Sequence, residues 1–557
     1  MSFTILITLL SVLTGTAVSE GLSIIPTAPF EEKTACQPFA LENGLNIIVD
    51  KVFQHAVDET EHTLIPPTLF EFATLFQEDL ESVLGFKNAA GQPSSEGYTL
   101  DVSSDFITIA GASPLGVWWG TRSVLQRAVK EHSRLPCGTG TGTPGWKSRG
   151  LMLDAARIFY PVEFLTEMCS YMFFKQNEFH IHLSDNLFKN YQTQSPDEAF
   201  RTLYAGFRLW SNDSQFQGIV ALRNESYSRE EFDMVQRQWK PELGLENDPT
   251  MLNLTHPESI PTMQRLRKEF LPWFYTKTVH IGADEYDKDK VVDYTRFVNE
   301  LASYIKKKSR KSSRIWGTFI PNGWANVSTD VAIQHWAYYE GDPWSDYLSN
   351  NYEVIKSDMA IYAVPKWSAY FRQSLDRQLF FTGNTSGGPS APNILDPRNA
   401  TINPLRNTPG IQGYIAPLWN DFGPTGSTQL DAYRTWRDGL PALADKQWGG
   451  DVQQSEYKQL FEALQPAAPG QNLDRSVPSV PETILEYDFQ KAGREVVEDR
   501  SGNSYHGRNH GCETGRGSII FDGSCHIDTP LKSYGKDYTL SLEVRPISGK
   551  PSKHTLF

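Results

Sequence analysis

The sequence predicts an α/β protein whose main part is a (β/α)8 TIM-type barrel, preceded by a small α+β domain and followed by a partial β-sandwich. Short apolar strands alternate with helical stretches between residues 146 and 450, which is typical of parallel barrels. Polar and aromatic side chains follow these strands at their carboxyl ends, where barrel enzymes carry their sites. Segments rich in Gly or Pro separate this block from residues 20–145 and from residues 484–557.

The chain begins with a short apolar segment, MSFTILITLLSVLTGTAVSE. It predicts a cleavable secretory signal over residues 1–19, although no positive side chain precedes the apolar part. A membrane anchor is the alternative, but the apolar run is short for a membrane span. Asn-x-Ser/Thr glycosylation acceptors occur at Asn212, Asn224, Asn253, Asn326, Asn384 and Asn399. We therefore expect a secreted, extracellular glycoprotein, with a vacuolar or lysosome-like compartment as the alternative.

Charge and composition narrow the class of partner. The net charge of −14 argues against nucleic acid, since binding phosphates needs a basic face. Aromatic residues make up 12% of the chain and include 14 Trp, whose flat apolar faces suit sugar rings as well as large cores. The 5 Cys are too few and too scattered for a disulfide framework or a zinc site, so no metal or other cofactor is expected.

Disulfide pairing of these cysteines is left open by the sequence. Cys512 and Cys525 are close enough to pair locally, and Cys36 can pair with Cys137. Cys169 lies in an apolar helical pattern and is expected to be a buried free thiol.

Residues 20–145 have the pattern of a small α+β domain. Tyr98–Val102 and Phe106–Ile109 predict a β-hairpin, and Gly111–Val129 has start signals and apolar positions at helical spacing. Gly138–Gly145 (GTGTGTPG) is expected to be a flexible connector at the domain boundary.

Residues 146–450 begin with one βαβ unit. Arg149–Asp154 predicts a strand that ends at a carboxylate, Pro161–Lys175 a helix, and Glu178–Leu183 a second strand. The later predicted elements are strands at Thr278–Ile281, Ser313–Thr318, Val331–Trp336, Glu353–Ser357 and Gly413–Leu418, with helices such as Asp293–Lys307 between them.

Candidate site residues lie at the ends of these strands. They are Arg157, His182, Asp185, Asp284, Glu285, Trp316, Trp336, Tyr362, Trp419 and Asp421. A single Trp at a strand end is more often packing than ligand, and a buried His is as often structural as catalytic. Several such residues at successive strand ends favour a sugar pocket, because a barrel brings these ends round one mouth.

The stretch Lys277–Asp287 (KTVHIGADEYD) holds two adjacent carboxylates, Asp284 and Glu285. An apolar run that stops at Gly282 predicts a buried parallel strand leaving its sheet. Two carboxylates at such a point form a candidate acid and base pair. Alone, the motif is more often a solvated acidic turn.

The C-terminal part is divided by a polar, Pro-rich stretch at residues 451–483, which predicts a linker. Residues 484–557 are β-rich, and Tyr538–Pro546 alternates like a strand. This part resembles the start of a concanavalin/laminin-G-like jelly roll, of which the usual ~100 or more residues are not all present.

Four motifs in order give residues 40–450 a resemblance to glycoside hydrolase family 20, the β-N-acetylhexosaminidases, of fungal type. They are Glu96-Gly97-Tyr98 with the helical region Gly116–Gln126, the run Arg149–Arg157 (RGLMLDAAR) with Phe159-Tyr160-Pro161, the run Phe179–Asp185 (FHIHLSD), and His280–Glu285 (HIGADE). The resemblance implies an exo-acting hydrolase that releases terminal β-linked GlcNAc or GalNAc from chitin oligosaccharides or glycans.

The resemblance also implies a substrate-assisted retaining mechanism, in which the 2-acetamido group of the substrate is the nucleophile. Glu285 would be the general acid and then the base, and Asp284 would orient the acetamido N–H. Arg157 would bind ring hydroxyls, with support from Asp185 and His182. Three tryptophans, Trp316, Trp336 and Trp419, would wall the pocket, and Tyr362 would donate to the acetamide oxygen.

The sequence departs from the family pattern in three places. Trp419-Asn420-Asp421 stands where the family has Trp-x-Glu, and Val364 stands where an acidic residue is common. The Pro-Gly-His loop of the third barrel strand is absent between Arg237 and Gln238, where about one βα unit is expected to be missing. We therefore expect a truncated or mis-spliced form of a longer enzyme.

Two alternative functions follow from these observations. The first is a catalytically impaired carbohydrate-binding homologue that lacks the third barrel strand. The second is a chitinase of the related substrate-assisted type, which is disfavoured because no Asp-x-x-Asp-x-Asp-x-Glu run is present.

Overall fold

The structure is a computed structural model of the chain. It describes residues 3–8, 24–28, 30–33, 36–40, 46–49, 51, 53–57, 67–84, 96–111, 113–185, 207–217, 222–238, 243–246, 252–358, 361–365, 371–406, 408–421, 428–490, 495–515, 517–533 and 538–545. The chain forms two compact units, Met1–Gln471 and Asn472–Phe557. Among the helices of the described ranges, none is both long and apolar enough to cross a membrane.

The N-terminal part of the first unit is an antiparallel sheet covered by helices. Its strands are β1 (Phe3–Thr8), β2 (Phe30–Glu32), β3 (Phe39–Ala40), β4 (Asn46–Val49), β5 (Tyr98–Val102), β6 (Phe106–Gly111), β7 (Arg134–Leu135) and β8 (Gly138–Gly142). The main sheet has the order β2-β8-β5-β6-β1-β4, and β3 pairs with β7. Two helices accompany it, α1 (Leu69–Leu84) and α2 (Pro114–Lys130). The predicted hairpin and helix are confirmed within a few residues.

Strand β1 lies inside the segment predicted to be a secretory signal. It pairs with β6 on one side and with the edge strand β4 on the other, so the backbone of residues 3–8 forms an interior strand of the sheet.

The prediction of a flexible connector at Gly138–Gly145 is wrong for its first part, which forms β8 between β2 and β5. Its glycines are needed by the packing of neighbouring rings. A Cβ on Gly142 would lie 2.4 Å from Tyr98 Cε1, and one on Gly138 would lie 2.5 Å from Phe30 Cε1. Glycine here is therefore a packing requirement within a strand and not a sign of a loop.

The barrel follows directly. Its strands are β9 (Ser148–Asp154), β10 (Glu178–His182), β11 (Leu243–Glu246), β12 (Thr278–His280), β13 (Ser312–Trp316), β14 (Val331–His335), β15 (Val354–Lys356) and β16 (Ile411–Leu418). All neighbouring pairs are parallel, in the order β11-β10-β9-β16-β15-β14-β13-β12. The helices are α3 (Val162–Tyr171), α4 (Ser214–Gln217), α5 (Arg229–Gln238), α6 (Ser259–Phe270), α7 (Val291–Ser309), α8 (Arg377–Thr382), α9 (Gln429–Trp436), α10 (Gly439–Trp448) and α11 (Gln454–Leu464). The TIM-type fold class is confirmed.

The third barrel strand corrects a sequence expectation. The backbone of Leu243–Glu246 forms β11, which pairs with β10 and lies between α5 and α6 in chain order, where the sequence predicts that a strand is missing. Cα atoms of β11 and β12, the two ends of the strand order, come within 8 Å of each other. The four residues of β11 (LGLE) include no β-branched or aromatic side chain, so they carry almost no sequence signal for a strand.

The barrel and the N-terminal domain are joined by a buried polar network. Glu96 accepts hydrogen bonds from the Arg149 guanidinium at the start of β9, from Trp119 Nε1 in α2 (2.8 Å) and from Asn177 Nδ2 (3.1 Å). The Arg149 side chain is fully buried, so Glu96 is the carboxylate that balances its charge.

The predicted linker at residues 451–483 is corrected at its start, because α11 lies within it and buries Tyr457, Leu460 and Phe461. The second unit, from Asn472, contains β17 (Val496–Val497), β18 (Gly507–His510), β19 (Glu513–Gly515), β20 (Ser518–Ile520) and β21 (His526–Asp528). Residues 538–545 of the predicted strand Tyr538–Pro546 are exposed and are not in a strand.

The disulfide expectations are confirmed. Cys36 bonds to Cys137, and Cys512 bonds to Cys525. Cys169 is a buried free thiol, and burial raises its pKa well above the ordinary value.

Candidate active site

The loop that follows β12 holds the two adjacent carboxylates in an uncommon backbone shape. Gly282, Ala283 and Glu285 have φ angles of 72°, 76° and 49°. The left-handed region is open to Gly but costs other residues energy, so this turn depends on its surroundings to persist. An extended strand would point Asp284 and Glu285 to opposite faces, and the turn removes that constraint.

Hydrogen bonds to the loop backbone hold this turn. The Ala283 carbonyl accepts from Thr318 Oγ1 and from the Tyr294 hydroxyl, both at 2.8 Å. The Gly282 carbonyl accepts from the Trp316 amide at 3.1 Å. The loop is thus anchored from β13, the segment after it, and α7, which fixes where the carboxylates emerge.

The two carboxylates differ in exposure. Asp284 is half-buried, whereas Glu285 is exposed at the barrel mouth. Tyr339, which follows β14, lies beside Glu285: burial first, and then the Glu285 carboxylate, raise the pKa of the Tyr339 phenol. The Tyr339 ring also packs on Trp336, with centroids 5.4 Å apart. Access to Asp284 is therefore restricted, whereas Glu285 is open to solvent.

Arg157 is the centre of a second cluster, at the ends of β9, β10 and β16. Its guanidinium contacts Asp154 Oδ2 and Asp185 Oδ1 at 3.0 Å each, and Asp421 Oδ1 at 3.3 Å. Burial lowers the pKa of Arg157, but Asp185, Asp154 and Asp421 outweigh it and raise that pKa above its ordinary value. The guanidinium is therefore a permanent cation fixed by three carboxylates.

Asp421 belongs to this cluster and has a raised pKa. Burial raises its pKa to about 6; Arg157 acts in the opposite direction, while Asp154, Asp185 and Glu285 add to the rise. Glu285, on the loop after β12, is thus close enough to Asp421 for its charge to act on this carboxylate.

Asp154, His182 and Asp185 have ligand atoms within 4.8 Å of one another, a spacing that a metal ion also requires. Arg157 contacts both carboxylates, so its guanidinium already supplies the positive charge at this place. His182 is buried, and its Nε2 lies 2.6 Å from Asp185 Oδ2. This bond fixes Asp185 toward Arg157, which is a positioning role.

The three predicted tryptophans lie together at the strand ends. Trp316 and Trp419 have ring centroids 5.4 Å apart, and both pack with Trp336 on a cluster that includes Met152 and Ile415. Trp316 is 1% exposed and forms the floor, while Trp336 and Trp419 are only partly buried and can wall a pocket. Trp336 Nε1 donates to the Gly317 carbonyl at 2.9 Å, which fixes its ring.

Tyr362 lies close to carboxylates of both the Arg157 cluster and the loop after β12. Burial raises the pKa of its phenol first, followed by Asp421, with further contributions from Tyr339 and Glu285. The hydroxyl thus stays protonated and remains a hydrogen-bond donor between the two clusters.

Three site residues are missing from the sequence-based set. Asp154 is fully buried and binds both the backbone and the side chain of Arg157. Asn420 donates its backbone amide to Asp154 Oδ2 at 2.9 Å. Tyr339 lies beside Glu285. Asp154 ends a predicted strand, and Asn420 lies between two predicted site residues, so the positions of both in the sequence indicate a place in the site. Tyr339 lies on a loop, and no sequence pattern indicates its place.

Comparisons with known proteins agree with this fold. The model of glycosyl hydrolase family 20, domain 2, matches residues 22–140, and the model of the family's catalytic domain matches residues 146–195 and 217–378. The chain is 26% identical over 304 residues to a lacto-N-biosidase of Bifidobacterium bifidum, covering 48% of this chain and 26% of that relative. It is 27% identical over 178 residues to a β-hexosaminidase of Vibrio vulnificus, covering 29% of this chain and 18% of that relative.

Solved structures share the architecture at low identity. The β-N-acetylhexosaminidase of Bacteroides fragilis superposes with a TM-score of 0.59 at 17% identity, covering 80% of this chain and 95% of that one. The chain spans about a quarter or less of the length of the curated relatives above. The two family models together match more than half of the chain, which therefore belongs to glycosyl hydrolase family 20.

Proposed function

We propose that this protein hydrolyses terminal, non-reducing β-linked N-acetylhexosamine residues by a substrate-assisted retaining mechanism. The observation that carries the proposal is the anchored turn after β12, which presents the unequal pair Asp284 and Glu285 toward the Arg157 cluster. Relatives named as a lacto-N-biosidase and as β-hexosaminidases support the substrate class. Chitin oligosaccharides and glycoprotein glycans are the substrates we expect.

In the first step, protonated Glu285 donates its proton to the glycosidic oxygen as the bond from this oxygen to C1 breaks. The acetamido carbonyl oxygen of the same sugar attacks C1 and forms a cyclic oxazolinium ion. Asp284 accepts the acetamido N–H, which orients the carbonyl oxygen and offsets the positive charge of the ring. The alcohol leaves with the proton of Glu285.

In the second step, the Glu285 carboxylate takes a proton from water, and the oxygen of this water bonds to C1. The C1–oxygen bond of the oxazolinium breaks, and the acetamide is restored. Two displacements at C1 retain the β configuration. Each carboxylate returns to its starting protonation state, so no cofactor enters the balance.

The other residues would hold the sugar in place. Arg157 offers a planar set of donors and Asp421 an acceptor to neighbouring ring hydroxyls. The Tyr362 hydroxyl would donate to the acetamide oxygen while this oxygen is attacking C1. Trp336 and Trp419 would cover the apolar face of the sugar and the acetamide methyl.

The test is hydrolysis of the 4-nitrophenyl β-glycosides of GlcNAc and GalNAc by the purified chain, beside Glu285→Gln and a matched control, Asp289→Asn. Asp289 is an exposed carboxylate four residues on in the same segment. We expect the parent and the control to be active and Glu285→Gln to lose turnover by about 10²–10⁴-fold. Binding of the glycosides without turnover by the parent would contradict the proposal and favour a carbohydrate-binding protein.

We also propose that the protein is exported and N-glycosylated. Among the six Asn-x-Ser/Thr acceptors, only Asn384 is half-buried and the others are exposed. Two disulfides support the same location, since disulfides form and persist in oxidising compartments. Expression in a eukaryotic secretion host should give glycosylated protein in the medium, with a mass that falls on enzymatic deglycosylation; retention in the cytosol with unmodified mass would contradict it.

A further inference from the structure

The second unit carries a cluster of metal-ligating side chains that the proposed hydrolysis does not use. His510 on β18 lies directly opposite His526 on β21, and Asp528 is two positions further along β21. Side chains at positions i and i+2 of a strand share a face, and directly paired residues share it too. The pairing therefore brings both imidazoles and the carboxylate to one side of this small sheet.

Distances among the three side chains suit one bound ion. His510 Nε2 lies 2.9 Å from Asp528 Oδ2, and His526 Nε2 lies 3.5 Å from Asp528 Oδ1. The three ligand atoms lie within 4.8 Å of one another. Nitrogen and oxygen donors held about 2.0–2.1 Å from a tetrahedral Zn²⁺ are about 3.3 Å apart, a spacing that falls between the two observed contacts.

The geometry at His510 fits a metal ligand better than a hydrogen bond. Its Nε2 is shielded from solvent and makes no hydrogen bond within the described residues, although Asp528 Oδ2 is only 2.9 Å away. The imidazoles of His510 and His526 are stacked, with centroids 4.5 Å apart and an angle of 11° between the planes. Two parallel imidazoles that both approach one carboxylate can share one ion at that carboxylate.

The backbone around the cluster is held before any ion binds. The disulfide between Cys512 and Cys525 joins the segment after β18 to the residue preceding His526. The Asn509 side chain bonds to Cys512 in both directions, donating to its carbonyl (2.9 Å) and accepting from its amide (2.8 Å). A site fixed in this way loses little entropy on binding, which favours affinity.

We propose that His510, His526 and Asp528 bind one divalent transition-metal ion of the Zn²⁺ class. Two imidazoles and one carboxylate are a donor set that suits Zn²⁺ and not Mg²⁺ or Ca²⁺, which prefer oxygen ligands alone. Water would complete the coordination. The ion would link β18 to β21 and stabilise the second unit.

The test is calorimetric titration of the full chain, first stripped with EDTA, with zinc chloride. We expect one site per chain, and His526→Ala and Asp528→Asn should each weaken its Zn²⁺ affinity by about tenfold or more, because each removes a direct ligand. Arg508→Ala is the matched control. Arg508 pairs with Asp528 across the same face but offers no ligand, so this variant should bind at least as tightly as the parent.

Thermal melting with and without Zn²⁺ tests whether the variants are folded. His526 and Asp528 are exposed, so the metal-free variants should melt at the temperature of the metal-free parent, and only the parent and Arg508→Ala should gain stability when Zn²⁺ is added. Absence of a zinc site in the parent, or equal affinity in the parent, His526→Ala and Asp528→Asn, would overturn the proposal.

Discussion

Asp284 is the residue whose task distinguishes this mechanism from a two-carboxylate glycosidase, since it acts on a group that belongs to the substrate. We expect Asp284→Asn to lower kcat by about 10²–10³-fold, because a preorganised charge partner of the oxazolinium is lost. In the parent, substrates whose acetamido group carries one, two and three fluorines should react progressively more slowly, as the carbonyl oxygen becomes less nucleophilic. A rate independent of fluorination would show that the acetamide is not the nucleophile.

The raised pKa of Asp421 predicts how kcat/KM depends on pH. Burial raises its pKa to about 6, and its ionised form is the one that pairs with Arg157 and accepts from a sugar hydroxyl. The ratio of kcat/KM of the parent to that of Asp421→Asn should therefore increase as pH rises through about 6, because dividing by the variant removes the pH dependence of the general acid, which both proteins share. A ratio that does not change with pH would assign no titration to Asp421.

The raised pKa of Asp421 also affects the free energy of unfolding, and this effect has the opposite dependence on pH to the effect on kcat/KM. The pKa of Asp421 is higher in the folded chain than its ordinary value of 3.8, so the folded state binds more protons between pH 3.8 and about 6. The contribution of Asp421 to the free energy of unfolding is therefore greatest at low pH and decreases as pH rises through this window.

At the scale of elements, the turn after β12 predicts opposite effects for two substitutions at Ala283. Its φ of 76° lies where a β-branched side chain is strained and Gly is not. Ala283→Gly should keep most of the activity, whereas Ala283→Val should lose it and destabilise the fold by about 1–3 kcal/mol. Activity and thermal melting of the two variants measure this. Equal activity in both would mean that the backbone shape of the turn is not required.

Three strands of the structure, β8, β9 and β11, differ in how well the local sequence predicts them. Strand β9 is buried at every position, and its run of apolar residues predicts it directly. Strand β8 has the sequence pattern of a flexible connector. Its glycines are required because the rings of Phe30 and Tyr98, which come from other parts of the chain, pack against Gly138 and Gly142. Strand β11 has no local signal, and its place follows only from its pairing with β10.

At the scale of the whole molecule, the sequence predicts the site residues that lie at the carboxyl ends of barrel strands, but not those on longer loops. The ends of parallel strands meet at one mouth, so the sequence predicts that Arg157, Asp185 and Asp421 lie together, as their contacts confirm. Tyr339 lies on a loop whose path no strand dictates, so its approach to Glu285 required the structure. Pairing of the strands of the second unit likewise brings His510 to His526, which are 16 positions apart in sequence.

The contact between the N-terminal domain and the barrel gives the last prediction. Glu96 balances the buried guanidinium of Arg149, so Glu96→Ala leaves an unpaired buried charge and should destabilise the chain by about 3–5 kcal/mol. Asp101→Ala is the control, because its pair with Lys33 is exposed and contributes only about 0–1 kcal/mol. Arg149 lies near the start of β9 and the Arg157 cluster lies at its end, so Glu96→Ala should lower the melting temperature while kcat well below that temperature stays unchanged. Equal melting of the two variants would show that this network does not hold the domain to the barrel, and a matching loss of kcat would show that the two ends of the barrel are coupled.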